Sequence, residues 1–189
     1  SEVPSDILPL IVSLIARLSF SVQQWTKSEE RHPIALLCDE AHLYIPNKSS
    51  SSSSDEISLS IFERIAKEGR KYGLSLVVIS QRPSEVNRTV LSQCSNFIAM
   101  RLTNTDDQMV IKKLLPDNLG GFGDILPILD TGEALVVGDA SLLPSRIRID
   151  KPLKTPDSGT VEFWDEWQKD VKSNRISIAV NNWRKQNIG

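Results

Sequence analysis

One segment of this chain is narrowly constrained by its own chemistry. Ile34-Ala35-Leu36-Leu37-Cys38 follows Pro33 and runs directly into two carboxylates, Asp39 and Glu40. A short, continuously apolar run of this kind fits a strand buried on both faces, the habit of parallel sheets. Parallel neighbours need long crossovers between them, so helices and further strands should alternate along the rest of the chain.

The pattern supplies that alternation. Ile7, Leu10, Ile11, Leu14, Ile15 and Leu18 recur at spacings of three and four, which predicts a helix with one apolar stripe. Asp6 can cap it, Pro9 falls where no amide donor is needed, and the polar stretch Thr26 to His32 ends it. Pro46 to Asp55, with serines at 49 to 54, reads as a flexible surface loop because nothing in it can bury. A second helix should bury Ile57, Ile61, Phe62, Ile65 and Ala66 and stop at Gly73. Leu74 to Ser80 reads as a strand, followed by a short helix at Thr89 to Cys94 and a strand at Asn96 to Leu102. Thr103 to Asp107 is a cap-like cluster opening a helix with Val110, Ile111 and Leu114 inward. Gly120 to Thr131 is irregular or briefly helical, and Glu133 to Val137 and Ser145 to Ile149 are closing strands. Residues 1–150 thus predict an α/β domain, a mainly parallel sheet flanked by helices. Residues 151–189 form a second part: a linker with Pro152 and Pro156, then a helical tail whose Phe163, Trp164 and Trp167 need a docking surface.

Composition excludes several classes. With 189 residues, 40% of them apolar, the chain can bury one sizeable core. A net charge of −2 and a pI near 5.7 do not advertise nucleic acid, so any DNA contact is local or arises from several copies around the ligand. Cys38 and Cys94 form no metal-ligand motif and read as free thiols of a reducing cytoplasm. No run approaches the ~18 apolar residues of a membrane span, and no signal peptide is evident. The first residues, Ser1-Glu2-Val3-Pro4, include no initiator Met and read like a cut into a longer protein.

Open α/β sheets bind ligands at the C-terminal edge of their strands, where Asp39 and Glu40 should lie. Adjacent acids there suit nucleoside triphosphate hydrolysis: Asp39 holding the water shell of Mg²⁺, Glu40 orienting a water for in-line attack. A solvated acidic turn is the plain alternative. The next strand carries Gln81 to the same edge, where an amide can sense a phosphate or a water, or simply precede a helix that starts at Pro83. Arg70, in Glu68-Gly69-Arg70-Lys71-Tyr72-Gly73, is either a partner for a helix C-terminus or an arginine finger reaching a neighbouring subunit's nucleotide.

Taken together, Cys38-Asp39-Glu40-Ala41-His42, Glu68 to Gly73, Ser80-Gln81-Arg82-Pro83-Ser84, Leu91-Ser92-Gln93-Cys94 and Arg101-Leu102-Thr103-Asn104 resemble HerA-type ATPases, relatives of the FtsK DNA pumps. Gly132-Glu133-Ala134 and Pro144-Ser145-Arg146 resemble the family's closing strands. The resemblance covers roughly residues 1 to 150. It implies part of a RecA-like P-loop NTPase core, a hexameric ring, Mg-ATP at subunit interfaces and translocation of double-stranded DNA. On matching positions it makes Asp39 and Glu40 the Walker B pair, Arg70 the finger and Gln81 the sensor. The chain also resembles members from bacterial antiviral defence that partner with a nuclease or a sirtuin-like, NAD-consuming enzyme. An oligomeric scaffold whose ATP site regulates such an effector is the competing expectation.

The departure from the family is the missing phosphate loop. No G-x-x-x-x-G-K-[ST] occurs, and Gly120-Gly121-Phe122-Gly123 lacks the lysine and the strand context. The family places that loop upstream, so this chain alone is expected to hydrolyse little or no ATP. Asp39-Glu40-Ala41-His42 also spells the DEAH box of another helicase superfamily, but that group's Ser-Ala-Thr motif and arginine-rich sixth motif are absent. His42 is expected to be either a structural residue or one that supports the site from behind, and zinc lacks enough partners.

Overall fold

A computed structural model describes residues 7–47, 53–115, 120–141, 143–154, 161–169 and 175–185. Two strands, β1 (Ile34–Cys38) and β2 (Leu74–Val78), pair in parallel from Ile34↔Leu74 to Cys38↔Val78. The crossover between them carries helix α2 (Ser53–Glu68) and a 3₁₀ turn, Gly69–Tyr72. Gly73 ends that turn at φ +71°, a left-handed backbone that glycine adopts without a Cβ penalty.

Residues after β2 build a second sheet. Helix α3 (Arg88–Ser92), capped by Asn87, leads to β3 (Asn96–Met100). Helix α4 (Thr105–Leu114) is capped by Asn104, within the expected cluster, and a single helical turn, α5 (Gly120–Gly123), follows. Strands β4 (Glu133–Gly138) and β5 (Ser145–Arg148) join β3 in the order β3-β4-β5, all antiparallel. The α/β class holds, with parallel pairing confined to β1 and β2. The link from β4 to β5 is too short for a crossover helix and can only close a hairpin.

Two apolar clusters hold these parts. In the first, Leu36, Cys38, Leu74, Leu76 and Val78 on one face of β1–β2 meet Ile61, Phe62 and Ile65 of α2, and Ala16 and Phe20 of helix α1 (Leu8–Trp25). In the second, Ala99, Leu135 and Val137 meet Ile111 and Leu115 with Leu126 and Leu129. Val110 and Leu114 of α4 pack partly against the first cluster, and Leu114 touches both.

Three expectations need correction. Strand β1 is buried on one face only: Leu37 is 68% exposed, and its neighbour Val77 is also open. Helix α1 turns its expected stripe outward, with Leu10, Leu14, Ile15 and Leu18 more than half exposed. It packs instead through Ser13, Ala16, Phe20 and Gln23. The small side chains admit close approach to α2, Phe20 meets the Tyr72 ring edge-on at 5.3 Å, and Gln23 donates to the carbonyls of His32 and Gly73. Satisfying buried backbone acceptors and matching shapes decided the helix rotation over apolar count. Lastly, α2 starts at Ser53, before the expected end of the serine loop; serine and aspartate suit a first helical turn.

Some readings fall outside what is described: the Asp6 cap, Ser49 to Ser52, and the side chain of Ile57. The chain divides into two units, one covering Pro4–Asp150 and one containing Lys151–Gly189. Within the latter, helices α6 (Phe163–Trp167) and α7 (Arg175–Lys185) leave Phe163, Trp164, Trp167 and Trp183 exposed. Among the described residues, no helix is long and apolar enough to cross a membrane.

Gly69 fixes how α2 hands over to β2. A Cβ there would lie 2.3 Å from the Leu74 carbonyl oxygen, a backbone atom with little freedom to move. Gly69→Ala should therefore destabilise the fold by about 1–3 kcal/mol. Urea unfolding checks this, and an unchanged midpoint would refute the close approach.

Candidate functional site

The parallel pairing does not stop at the strand ends. The amide of Ile79 donates to the Cys38 carbonyl and the amide of Ala41 donates to the Ile79 carbonyl, both at 2.9 Å. These bonds draw Asp39 and Glu40 alongside Ser80 and Gln81. Between them the backbone reverses sharply: Glu40 sits at φ +47°, ψ +45°, the one non-glycine residue with positive φ among those described. Such a conformation costs of order 1–3 kcal/mol and persists only where surroundings impose it. The Glu40 amide donates to Asp39 Oδ1 at 3.0 Å, and the Tyr44 hydroxyl donates to the Asp39 carbonyl at 2.7 Å.

Tyr44 is nearly fully buried. Burial first, then Cys38 and the carboxylates of Asp39 and Glu40, push its hydroxyl far above the ordinary tyrosine value. It therefore remains a donor at any physiological pH. Burial likewise raises the Cys38 thiol, against a smaller opposing effect from Tyr44.

The Glu40 carboxylate is held unevenly. Oε1 accepts a 2.6 Å hydrogen bond from the Gln81 amide. Oε2 is buried and has no hydrogen-bond donor among the described residues, although the Glu40 side chain as a whole is 37% exposed. His42 Nδ1 stands 3.5 Å from Oε2 and 3.2 Å from Ser80 Oγ. Ser80 Oγ in turn accepts from the Arg82 amide at 3.0 Å, while the Arg82 guanidinium turns away to Glu85.

The structure thus brings Asp39, Glu40 and Gln81 to one edge and adds His42 and Ser80 to them. The sequence motif includes Ser80 without assigning it a role, although a serine two residues before a turn amide is a recognisable local hydrogen-bonding pattern. Arg70 is not in this group. It is exposed in the 3₁₀ turn before β2, at the opposite end of the strand from Gln81. Five residues of strand span about 17 Å, so within one chain Arg70 and Glu40 face different edges.

No established family profile matches the chain. Among curated proteins, it is 37% identical over 118 residues to the DNA double-strand break repair helicase HerA of Pyrococcus furiosus, covering 62% of this chain and 20% of that protein. It is 28% identical over 188 residues to the HerA of Sulfolobus acidocaldarius, covering 97% of this chain and 37% of that protein. Among solved structures, VirB4 of Thermoanaerobacter pseudethanolicus superposes with a TM-score of 0.57 at 16% identity, over 80% of this chain and 39% of that one. The genome packaging NTPase B204 of Sulfolobus turreted icosahedral virus 2, in complex with ATP-gammaS, gives 0.53 at 16% identity, over 71% and 62%. The chain belongs with the HerA/FtsK-type ATPases. It spans 37% and 20% of the length of these two curated relatives.

The donor set of this HerA/FtsK-type segment fits Mg²⁺ held lightly. Among the described residues, no group of three or more His, Cys, Asp or Glu could cage a metal. Asp39 is a single exposed carboxylate at a strand tip, and Mg²⁺ commonly binds through one carboxylate, water and substrate phosphates.

Tyr44→Phe removes the donor from the Asp39 carbonyl while keeping a ring against Phe62, 6.0 Å away between centroids. It should cost about 1–2 kcal/mol in urea unfolding. Because the folded Tyr44 hydroxyl is raised, the stability it contributes is present below the unfolded tyrosine value of about 10 and fades as pH climbs beyond it. The variant should show a shallower alkaline decline, and an identical decline would disprove this account.

Proposed function

We propose that this chain is the water-activating part of a ring-forming ATPase that couples Mg-ATP hydrolysis to movement or remodelling of double-stranded DNA. The observation that carries the reading is the 2.6 Å contact between Glu40 and Gln81, beside Asp39 at the C-terminal tips of two parallel strands. Relatives that are DNA double-strand break repair helicases, and a fold shared with a genome packaging NTPase, support it.

In this reading residues 1–150 are the ATPase segment and 151–189 an appended helical tail of a cytoplasmic protein. Asp39 meets the water shell of Mg²⁺, which would neutralise charge developing on the phosphates. Glu40 orients the attacking water and accepts its proton, and Gln81 reports occupancy of the site through its amide. Arg70 serves a neighbouring subunit's site, consistent with its place on the opposite edge. The phosphate-gripping loop must come from residues outside this sequence. A hexamer, and a role in antiviral defence, extend the same reading.

A scaffold that regulates a nuclease or sirtuin-like effector is the second reading. The net charge of −2 favours it, as does the exposed apolar face of α7, formed by Ile176, Val180 and Trp183. DNA-stimulated ATP turnover by the full-length protein separates the two. Absence of stimulation together with intact effector activation would leave only the scaffold.

Glu40→Gln in the full-length protein should abolish turnover and preserve ATP binding, and retained turnover would remove Glu40 from its role. Arg70→Ala should bind nucleotide normally but fail to hydrolyse it in the assembled ring. Mixing these two variants should recover some activity, since wild-type Glu40 sites then meet wild-type Arg70 donors. No recovery at any ratio would contradict action between subunits.

A further inference from the structure

Glu40 Oε2 is a buried acceptor with no hydrogen-bond donor among the described residues, in a residue whose backbone is already forced into the left-handed region. An unpaired buried acceptor costs about 1–3 kcal/mol, so a group able to supply a donor matters to where the carboxylate rests. Only His42 is placed to do so among the contacts described: its Nδ1 lies 3.5 Å from Oε2 and 3.2 Å from Ser80 Oγ. A ring with its proton on Nδ1 donates to one or the other, and a small rotation exchanges them. Ser80 keeps the arrangement in register, because its hydroxyl also accepts from the Arg82 amide, one residue past Gln81.

We propose that His42 is a positioning residue that anchors Glu40 through Oε2, so that the carboxylate keeps its aim when the Gln81 amide leaves Oε1. This rests on the reading of Glu40 as the water-orienting base. The Gln81 amide occupies one acceptor position of Oε1 while Oε2 is buried, so in this reading the arrangement is a resting one. When a phosphate oxygen competes for the Gln81 amide, Oε1 becomes free, and Glu40 would swing without a second hold. His42, two residues after Glu40 and backed by Ser80 at the tip of the neighbouring strand, supplies that hold.

The test uses turnover in the full-length protein and a spectroscopic readout in the chain. His42→Ala should lower kcat by about 10- to 100-fold, the range expected for misplacing a reacting group, with KM for ATP within about threefold of wild type. His42→Asn, which returns an amide near the position of Nδ1, should restore most of that loss, whereas His42→Phe, which returns only volume, should not. The chain has two histidines, so His32 serves as an internal control for nitrogen NMR of the imidazoles. Glu40→Gln should move the His42 Nδ1 resonance and leave that of His32 in place. Wild-type kcat in His42→Ala, rescue by Phe equal to that by Asn, or an unmoved His42 resonance each overturns the assignment. If the His42 variants do not fold, the Glu40→Gln spectrum decides it. Turnover surviving Glu40→Gln overturns the site reading itself, and is distinguishable because it leaves the His42–Glu40 contact visible by NMR.

Discussion

The site depends on the pairing of β1 with β2 being parallel and in a fixed register. Parallel strands end on the same edge, so whatever follows each of them is delivered to one place. Here Asp39-Glu40 and Ser80-Gln81, 41 positions apart, meet because Cys38 pairs with Val78 and two further backbone bonds carry the pairing past the strand ends. A one-residue slip would turn every strand side chain to the other face and part Glu40 from Gln81. The register is secured by the buried face: Leu36, Cys38, Leu74, Leu76 and Val78 must all look toward α1 and α2. Core packing and site geometry are thus one constraint.

Strain concentrates where that constraint ends. The left-handed backbone at Glu40 is imposed from both sides, by the Asp39 carboxylate on its amide and by Ala41 bonded to Ile79. Tyr44 adds a buried donor to the Asp39 carbonyl, keeping the reversal from relaxing. The result is a carboxylate on a rigid support, displayed at the edge of a core.

Much of this was legible in the residues. The apolar run ending in two acids located β1 and its tip, because its length and punctuation suit a strand, and the spacing of Ile61, Phe62 and Ile65 identified the buried side of α2. Gly73 marked the end of the crossover. The rotation of α1 was not legible. Its six apolar residues form a convincing stripe, yet Ser13, Ala16 and Gln23 make the contacts, for reasons of shape and hydrogen bonding that periodicity does not encode. The one-sided burial of β1 escaped for a related reason: a continuous apolar run states what a strand can tolerate on each face, not what lies against it. At the site, the acids and the amide were visible as types at a strand tip. The Ser80–His42 contact was not, since it joins residues 38 apart through a register only the fold defines.

The separation of Arg70 from Glu40 by the length of a strand gives the chain a direction. One edge presents a cation and the other a carboxylate pair, and the two do not fall in one compact patch. A contact that brings them together between copies is head to tail, so each copy has one donor edge and one acceptor edge left to satisfy. Such contacts have no natural stopping point. They close on themselves only if the rotation from one copy to the next divides a full turn, and otherwise they continue as a filament. The turn that carries Arg70 from α2 to β2 would therefore bear on whether contacts of that kind between copies close on themselves.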